Sequence, residues 1–233
     1  LVSVPFLWFF AATSTVAGAK NGYCFCKLSS TSTEVADRFS LPVKCFAAEL
    51  LLHFQNIGFY SNAVQNPIQK KLADQLEQQS GCKDYALFMC SSGAEANENA
   101  LKLASFHTNK ATVIAFDNSF HGRTSACVAA TDNPKIVAPL NAQQQVRFLP
   151  LGDLELVENT LKAEPICAII IECIQGVGGL DESSTNFYKG LELLCQTYNT
   201  VLIADEVQSG FGRTGDFFAF QKHGMTPDII SIA

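Results

Sequence analysis

Residues 167–205 read CAIIIECIQGVGGLDESSTNFYKGLELLCQTYNTVLIAD. Two runs stand out in it, Cys167–Ile171 and Val201–Ala204. Each is apolar throughout and too short for a helix. Between them, Asn186–Tyr198 has the length and mixed apolar pattern of a helix. A strand with one wet face alternates apolar and polar residues; a strand covered on both faces does not. The stretch therefore reads as two buried, parallel strands joined by a crossover helix. Each run ends on an acid, Glu172 and Asp205.

The same alternation extends outward. Asn66-Pro67 is a cap followed by proline at the first helical position, with Ile68, Leu72 and Leu76 at i, i+4, i+8 and Gly81 as a stop. Tyr85–Cys90, Thr112–Phe116, Val146–Leu149 and Ile229–Ala233 are further apolar runs. Helical stretches are expected at Ala94–His107 and Asp153–Lys162. Strands alternating with helices predict an α/β fold, a mainly parallel sheet with helices on both faces. In such sheets chemistry gathers at the carboxyl ends of the strands.

Composition narrows the function classes. The chain has 233 residues, with 16 Lys+Arg against 22 Asp+Glu, a net charge of −6. That balance argues against a nucleic-acid partner. Hydrophobic residues make up 48% and charged residues 16%, which excludes a disordered or coiled-coil chain. The nine cysteines form no C-x-x-C pair, and Cys24 and Cys26 are too close for the usual zinc spacing. Free thiols packed as small hydrophobes in a reducing compartment are the preferred reading, with no metal site.

The first 54 residues differ from the rest. They hold 7 of the 18 Phe, 3 of the 9 Cys and the only Trp, but 2 of the 15 Gly. Residues 1–19 carry no charge, and Ala17-Gly18-Ala19 resembles a leader cleavage site. A basic start is absent, and Pro5 interrupts the run, so neither a signal peptide nor a membrane span is favoured. No element is expected before about Ala47.

Four loops at strand ends carry chemistry. Ser91-Ser92-Gly93-Ala94 precedes a helix, where open N–H groups and the helix dipole suit a phosphate; an ordinary N-cap is the rival. Phe120-His121-Gly122-Arg123 offers a stacking ring, an imidazole and a carboxylate grip, or else a plain surface loop. Glu172 is followed by three glycines within Gly176–Gly179, which let backbone approach a neighbour closely. Asp205, ending an apolar strand, suits a protonated heteroaromatic nitrogen, with Gln208 in reach of a ring oxygen; a metal pair is the rival.

Together these loops describe a pyridoxal phosphate site. The blocks FMCSSGAEANENALKLA, FDNSFHGRT, IIIECIQGVGG, VLIADEVQSGFGRTG and PDIISIA resemble, in family order, the class III aminotransferases of the fold-type I pyridoxal phosphate enzymes. The ornithine and N-acetylornithine group is the most similar, and the resemblance covers about Gln55 to Ala233. It implies that residues 55–233 are part of the cofactor-binding large domain, with residues 1–54 an atypical segment. For that segment, translation in a wrong frame is preferred over a divergent N-terminus.

The resemblance also implies roles. Ser92, Gly93 and Ala94 hold the cofactor phosphate, Phe120 stacks on the ring and His121 supports the site. Asp205 pairs with the ring nitrogen, Val207 packs on the other face and Gln208 approaches the ring hydroxyl. Arg123, Glu172 and Tyr60 are the substrate-side residues. The implied reaction moves the terminal amino group of N-acetylornithine or ornithine to 2-oxoglutarate, in a cytoplasmic homodimer of arginine metabolism. Succinylornithine or 4-aminobutyrate as donor, and a non-catalytic cofactor-binding chain, are the alternatives. The family lysine that bonds the cofactor would directly follow Ala233, so the chain as given is expected to be an inactive fragment.

Overall fold

The computed structural model describes residues 7–11 and 67–233. Tyr60, the cap Asn66 and the boundary expected after residue 54 lie outside the described residues. The chain divides into two compact units, Ser14–Lys70 and a unit of Leu1–Thr13 with Lys71–Ala233, which carries the sheet.

In chain order the elements are β1 (Leu7–Ala11), α1 (Pro67–Ser80), β2 (Ala86–Cys90), α2 (Gly93–Thr108), β3 (Thr112–Phe116) and α3 (Ser125–Ala129). They continue with a 3₁₀ turn (Pro134–Ile136), β4 (Val146–Leu149), α4 (Leu154–Ala163), β5 (Ile166–Ile171) and α5 (Thr185–Tyr198). β6 (Val201–Asp205), α6 (Ala219–Lys222) and β7 (Ile229–Ile232) complete the series. The seven strands form one sheet, ordered β2-β1-β7-β6-β5-β3-β4, and every pairing is parallel.

The apolar runs become strands because both faces are covered. Val113, Ala115, Ala168, Ile170, Val201 and Ile203 pack with Ala96, Ala100, Leu101 and Ala104 of α2. Their alternates Ile114, Phe116, Ile169, Ile171, Leu202 and Ala204 pack with α4 and α5 through Val157, Leu161, Phe187, Tyr188 and Leu191. Burying each Ile or Leu stabilises the fold by about 1.5–3 kcal/mol. The alanines of α2 let it lie close to the sheet.

Capping fixes where the helices begin and end. The Ser92 hydroxyl accepts from Glu95 N–H (3.2 Å), Asp153 from Leu156 N–H (2.9 Å) and Ser184 from Phe187 N–H (3.2 Å). Asn109 and Asn199 close α2 and α5 in left-handed conformation, φ 55° and 50°.

Three elements were not expected from the sequence. β1 falls in the stretch where no element was expected, and it lies between β2 and β7. Its run Leu7-Trp8-Phe9-Phe10-Ala11 is uncharged and aromatic, as suits a strand with strands on both sides. α3 and α6 are too short to show a helical period, and acids from elsewhere hold their first turns. Glu98 accepts from Ala126 N–H (2.9 Å) and Cys127 N–H (3.2 Å). Glu206 accepts from Ala219 N–H (3.0 Å) and Phe220 N–H (2.9 Å).

Candidate active site

Because all the strands run parallel, their carboxyl ends share one edge of the sheet. The loops leaving β2, β3, β5 and β6 meet there around a cavity of about 510 Å³. Gly93, Ala94, Phe120, His121, Arg123, Glu172, Asp205, Val207 and Gln208 line it, with Gly122, Thr124 and Ala233. The expected residues are thus brought together from four separate strand ends. Ser92 caps α2 beside them without lining the cavity.

The helix start is built closely. Ser92 uses its oxygen as a cap and keeps its O–H to donate. The first N–H groups of a helix have no partner within it, so those of Gly93 and Ala94 are available to an anion. Two glycines permit the packing around this turn. A Cβ on Gly93 would lie 2.6 Å from Val207 Cγ1, and one on Gly122 would lie 2.7 Å from Ala94 Cβ. Gly122 also has φ +127°, where only glycine is unstrained. The turn after β2, the Phe120–Arg123 loop and the Val207 loop therefore pack closely where glycine leaves out a side chain.

Asp205 is the centre of the site. It is 4% exposed, yet its carboxylate is well supplied with donors. Oδ2 accepts from Asn97 Nδ2 (2.7 Å) and lies 2.8 Å from His121 Nδ1, while Oδ1 accepts from Val207 N–H (3.1 Å). Hydrogen bonds to a charged group are worth about 1.5–3 kcal/mol each, which offsets the cost of burying the acid. A carboxylate can only accept, so His121 Nδ1 carries a proton. His121 is itself held by its backbone, its N–H donating to Thr131 Oγ1 (3.0 Å) and its carbonyl accepting from Asn97 Nδ2 (2.9 Å).

Glu172 ties two loops. Its oxygens accept from Phe120 N–H (2.9 Å) and Gly176 N–H (3.2 Å). Burial pushes its carboxyl above the ordinary value, against the pull of the nearby His121. The glycine-rich loop after it makes its close approaches within the chain. A Cβ on Gly176 would run into Gln208, and one on Gly178 into Asn118.

Phe120 and Val207 are half-buried, leaving apolar surface in the cavity, whereas Arg123 and Gln208 are exposed. Arg147, away from the cavity, is held bidentately by Glu164 at 2.7 and 3.0 Å. Among the described residues no ion pair holds Arg123, so its fork is free to take a carboxylate.

Sequence reasoning missed Asn97, Thr124, Thr131 and Glu98 as parts of this construction. Asn97 had a legible signal: it falls on the buried stripe Gly93, Ala96, Asn97, Ala100, Leu101, Ala104 of α2, where an amide needs a partner. Burial pushes the thiols of Cys127, Cys173 and Cys195 up, which makes them inert.

A helix start with open N–H groups, half-buried apolar side chains and a buried, donor-clamped acid thus meet at one cavity on a parallel α/β sheet. Comparison with known proteins gives the family. Residues 50–233 match the aminotransferase class-III family, and the chain belongs to it. Members of this family are pyridoxal phosphate enzymes. The chain is 41% identical over 193 residues to the acetylornithine aminotransferase of Halalkalibacterium halodurans, covering 82% of this chain and 49% of that protein. It is 39% identical over 179 residues to the acetylornithine aminotransferase of Bacillus subtilis, covering 76% and 46%. The chain thus spans about half the length of the relatives it matches.

Solved structures agree with the fold. An aminotransferase from Bacillus anthracis superposes with TM-score 0.74 at 26% identity, covering 82% of this chain and 48% of that one. The ornithine aminotransferase of Toxoplasma gondii gives 0.69 at 25%, covering 79% and 45%. Among the described residues no helix is long and apolar enough to cross a membrane.

Proposed function

We propose that this chain forms the cofactor-binding part of an enzyme that moves the terminal amino group of N-acetylornithine or ornithine to 2-oxoglutarate, using pyridoxal 5'-phosphate. The observation that carries the cofactor reading is Asp205: a buried acid at the carboxyl end of β6, clamped by two side-chain donors and lining the cavity. The donor is proposed from relatives about 40% identical over most of this chain. When bound, pyridoxal phosphate supplies an electron sink for proton loss at the carbon bearing the amino group.

The chain's residues divide the remaining work. Gly93 and Ala94 N–H groups and the Ser92 O–H take the phosphate, at the positive end of the α2 dipole. Phe120 and Val207 grip the two ring faces. Asp205 offers its carboxylate to the ring nitrogen, which favours a protonated ring and so a stronger sink. Gln208 orients the ring hydroxyl side. Arg123 takes a substrate carboxylate, and Glu172 keeps the Phe120 loop in place through its bond to Phe120 N–H. Tyr60 is assigned to the substrate pocket. Ala233 lines the cavity, which supports the reading that the family lysine follows it. Small-molecule donor and 2-oxo acid, a homodimer and a cytoplasmic setting complete the proposal.

The test is glutamate formation from 2-oxoglutarate by the product of the complete gene, offered N-acetylornithine, ornithine and 4-aminobutyrate in turn. Highest kcat/KM with one of the first two supports the proposal. A preference for 4-aminobutyrate moves the enzyme elsewhere in its family. Failure of the isolated chain to bind pyridoxal phosphate would overturn the cofactor reading.

A further inference from the structure

Asn97 is out of place on composition alone. It sits on the buried stripe of α2, 1% exposed, among Ala96, Ala100 and Ala104, each 0% exposed. An amide there gives up water on both its oxygen and its nitrogen. Its nitrogen is fully used, donating to Asp205 Oδ2 (2.7 Å) and to the His121 carbonyl (2.9 Å). Its Oδ1 is buried without a hydrogen-bond partner. Reversing the amide would not help, because its oxygen would then face two acceptors. The fold thus tolerates an unpaired buried oxygen to keep two donors at this point.

The placement explains why. Asn97 stands one turn into α2, the helix whose first residues form the anion cradle. Its two bonds reach the end of β6 and the loop after β3. One neutral side chain therefore joins the helix of the cradle, the ring acid and the main chain of His121, whose imidazole also contacts that acid. Being neutral, it holds the carboxylate without pairing its charge. An acid at 97 would repel Asp205, and a base would neutralise it.

Resting on the pyridoxal phosphate reading above, we infer that Asn97 is a positioning residue that aims and holds Asp205 for the cofactor's ring nitrogen. It acts through Asp205 and touches neither substrate nor reacting atoms. Its contribution is therefore specific to a ring that has a nitrogen.

The experiment compares non-covalent binding of two probes to the full 233-residue chain by absorbance and fluorescence titration. One probe is pyridoxal 5'-phosphate; the other is its deaza analogue, with C–H in place of the ring nitrogen. The variants are Asn97→Ala and Asn97→Leu; the second keeps the branched four-atom shape without its polar atoms, so that a cavity in the first does not decide the matter. The unaltered chain should favour the nitrogen ring by about 10- to 100-fold, the worth of hydrogen bonds to a charged group. In both variants that preference should shrink to within about threefold, while affinity for the deaza ring barely changes. Variants that keep the preference overturn the role of Asn97 and leave the cofactor reading standing. Variants that lose affinity for both rings equally show a purely structural residue and also overturn it. No preference in the unaltered chain overturns the assignment of Asp205 to the ring nitrogen, and the inference with it.

Discussion

Replacing Gly93 by alanine tests how tightly the cradle and the Val207 loop are fitted. The new Cβ would lie 2.6 Å from Val207 Cγ1, 2.8 Å from Cγ2 and 3.3 Å from Cβ, where ordinary contact begins near 3.4 Å. The first contact falls short by 3.4 − 2.6, or about 0.8 Å. Rotating Val207 does not clear it. Two of the three positions on its Cβ face Gly93 and two of the three substituents are methyls, so each staggered rotamer keeps at least one methyl in the clash. Backbone has to move, at about 1–3 kcal/mol for overpacking. Against this, alanine in a helix gains about 0.5–1 kcal/mol over glycine, less at a first-turn position such as this. The net cost should be about 0.5–2.5 kcal/mol, a fall in Tm of roughly 1–10 °C for a chain of this size. Thermal melts of Gly93→Ala, Val207→Ala and the pair give the answer as a double-mutant cycle. Val207→Ala removes both clashing methyls, so the pair should be more stable than the two single costs predict, by about 1 kcal/mol or more. Strict additivity would refute the fit between the two loops. If the cavity is the cofactor site, the single Gly93→Ala variant also binds pyridoxal phosphate more weakly, and the pair recovers part of that loss.

Arg123→Lys keeps the charge and loses the two-pronged grip; KM for the carboxylate substrate should rise about tenfold in the active, complete enzyme with kcat little changed, and an unaltered KM would remove Arg123 from the substrate site. Glu206→Gln puts an amide N–H against backbone donors that now point at a carboxylate, from Ala219 and Phe220, and should lower stability by about 1–3 kcal/mol in denaturant titration. Burial pushes the carboxyls of Glu172, Glu206 and Asp228 above their ordinary values. A carboxyl raised in the folded chain binds its proton more readily there, so it favours folding most below the ordinary value of about 4 and loses that contribution as pH rises through the raised one. Melts should show stability lost from these groups as pH rises above about 4, with a shallower slope in Glu206→Gln; the same slope in that variant would show that Glu206 does not contribute.

Legibility in the sequence followed how local each cause was. Thr112–Phe116 and Val146–Leu149 were readable to the residue because an unbroken apolar run between polar turns has few other fates. Leu7–Ala11 was not, since an uncharged aromatic run does not by itself specify a strand, and only the slot between β2 and β7 decides it. α3 and α6 owe their starts to Glu98 and Glu206, partners distant in sequence that no window can see. At the site, strand-end position exposed Asp205, Glu172 and the Phe120–Arg123 loop. Asn97 needed the further step of asking what a polar residue on a buried stripe is bonded to.

The pair Asp205-Glu206 shows how one strand end sends two neighbouring acids into different surroundings. Consecutive residues on an extended chain face opposite sides. Asp205 turns to the α2 side and meets Asn97 and His121, while Glu206 turns to the other and meets Ser209, Ala219 and Phe220. Both are nearly as buried, 4% and 1% exposed, and both need donors to bear it. Glu206 takes a hydroxyl at 2.7 Å and two backbone N–H groups, spread over both oxygens, and becomes the cap of α6. Asp205 takes its two strong side-chain donors on Oδ2, and its Oδ1 has one N–H at 3.1 Å. It alone of the two lines the cavity. A carboxylate held firmly at one oxygen, with capacity left at the other and an opening beside it, is arranged to receive one more donor. Burial does not separate the two acids, since both are buried, and neither does the number of donors, two on one oxygen and one on the other in each; the cavity beside Asp205 does.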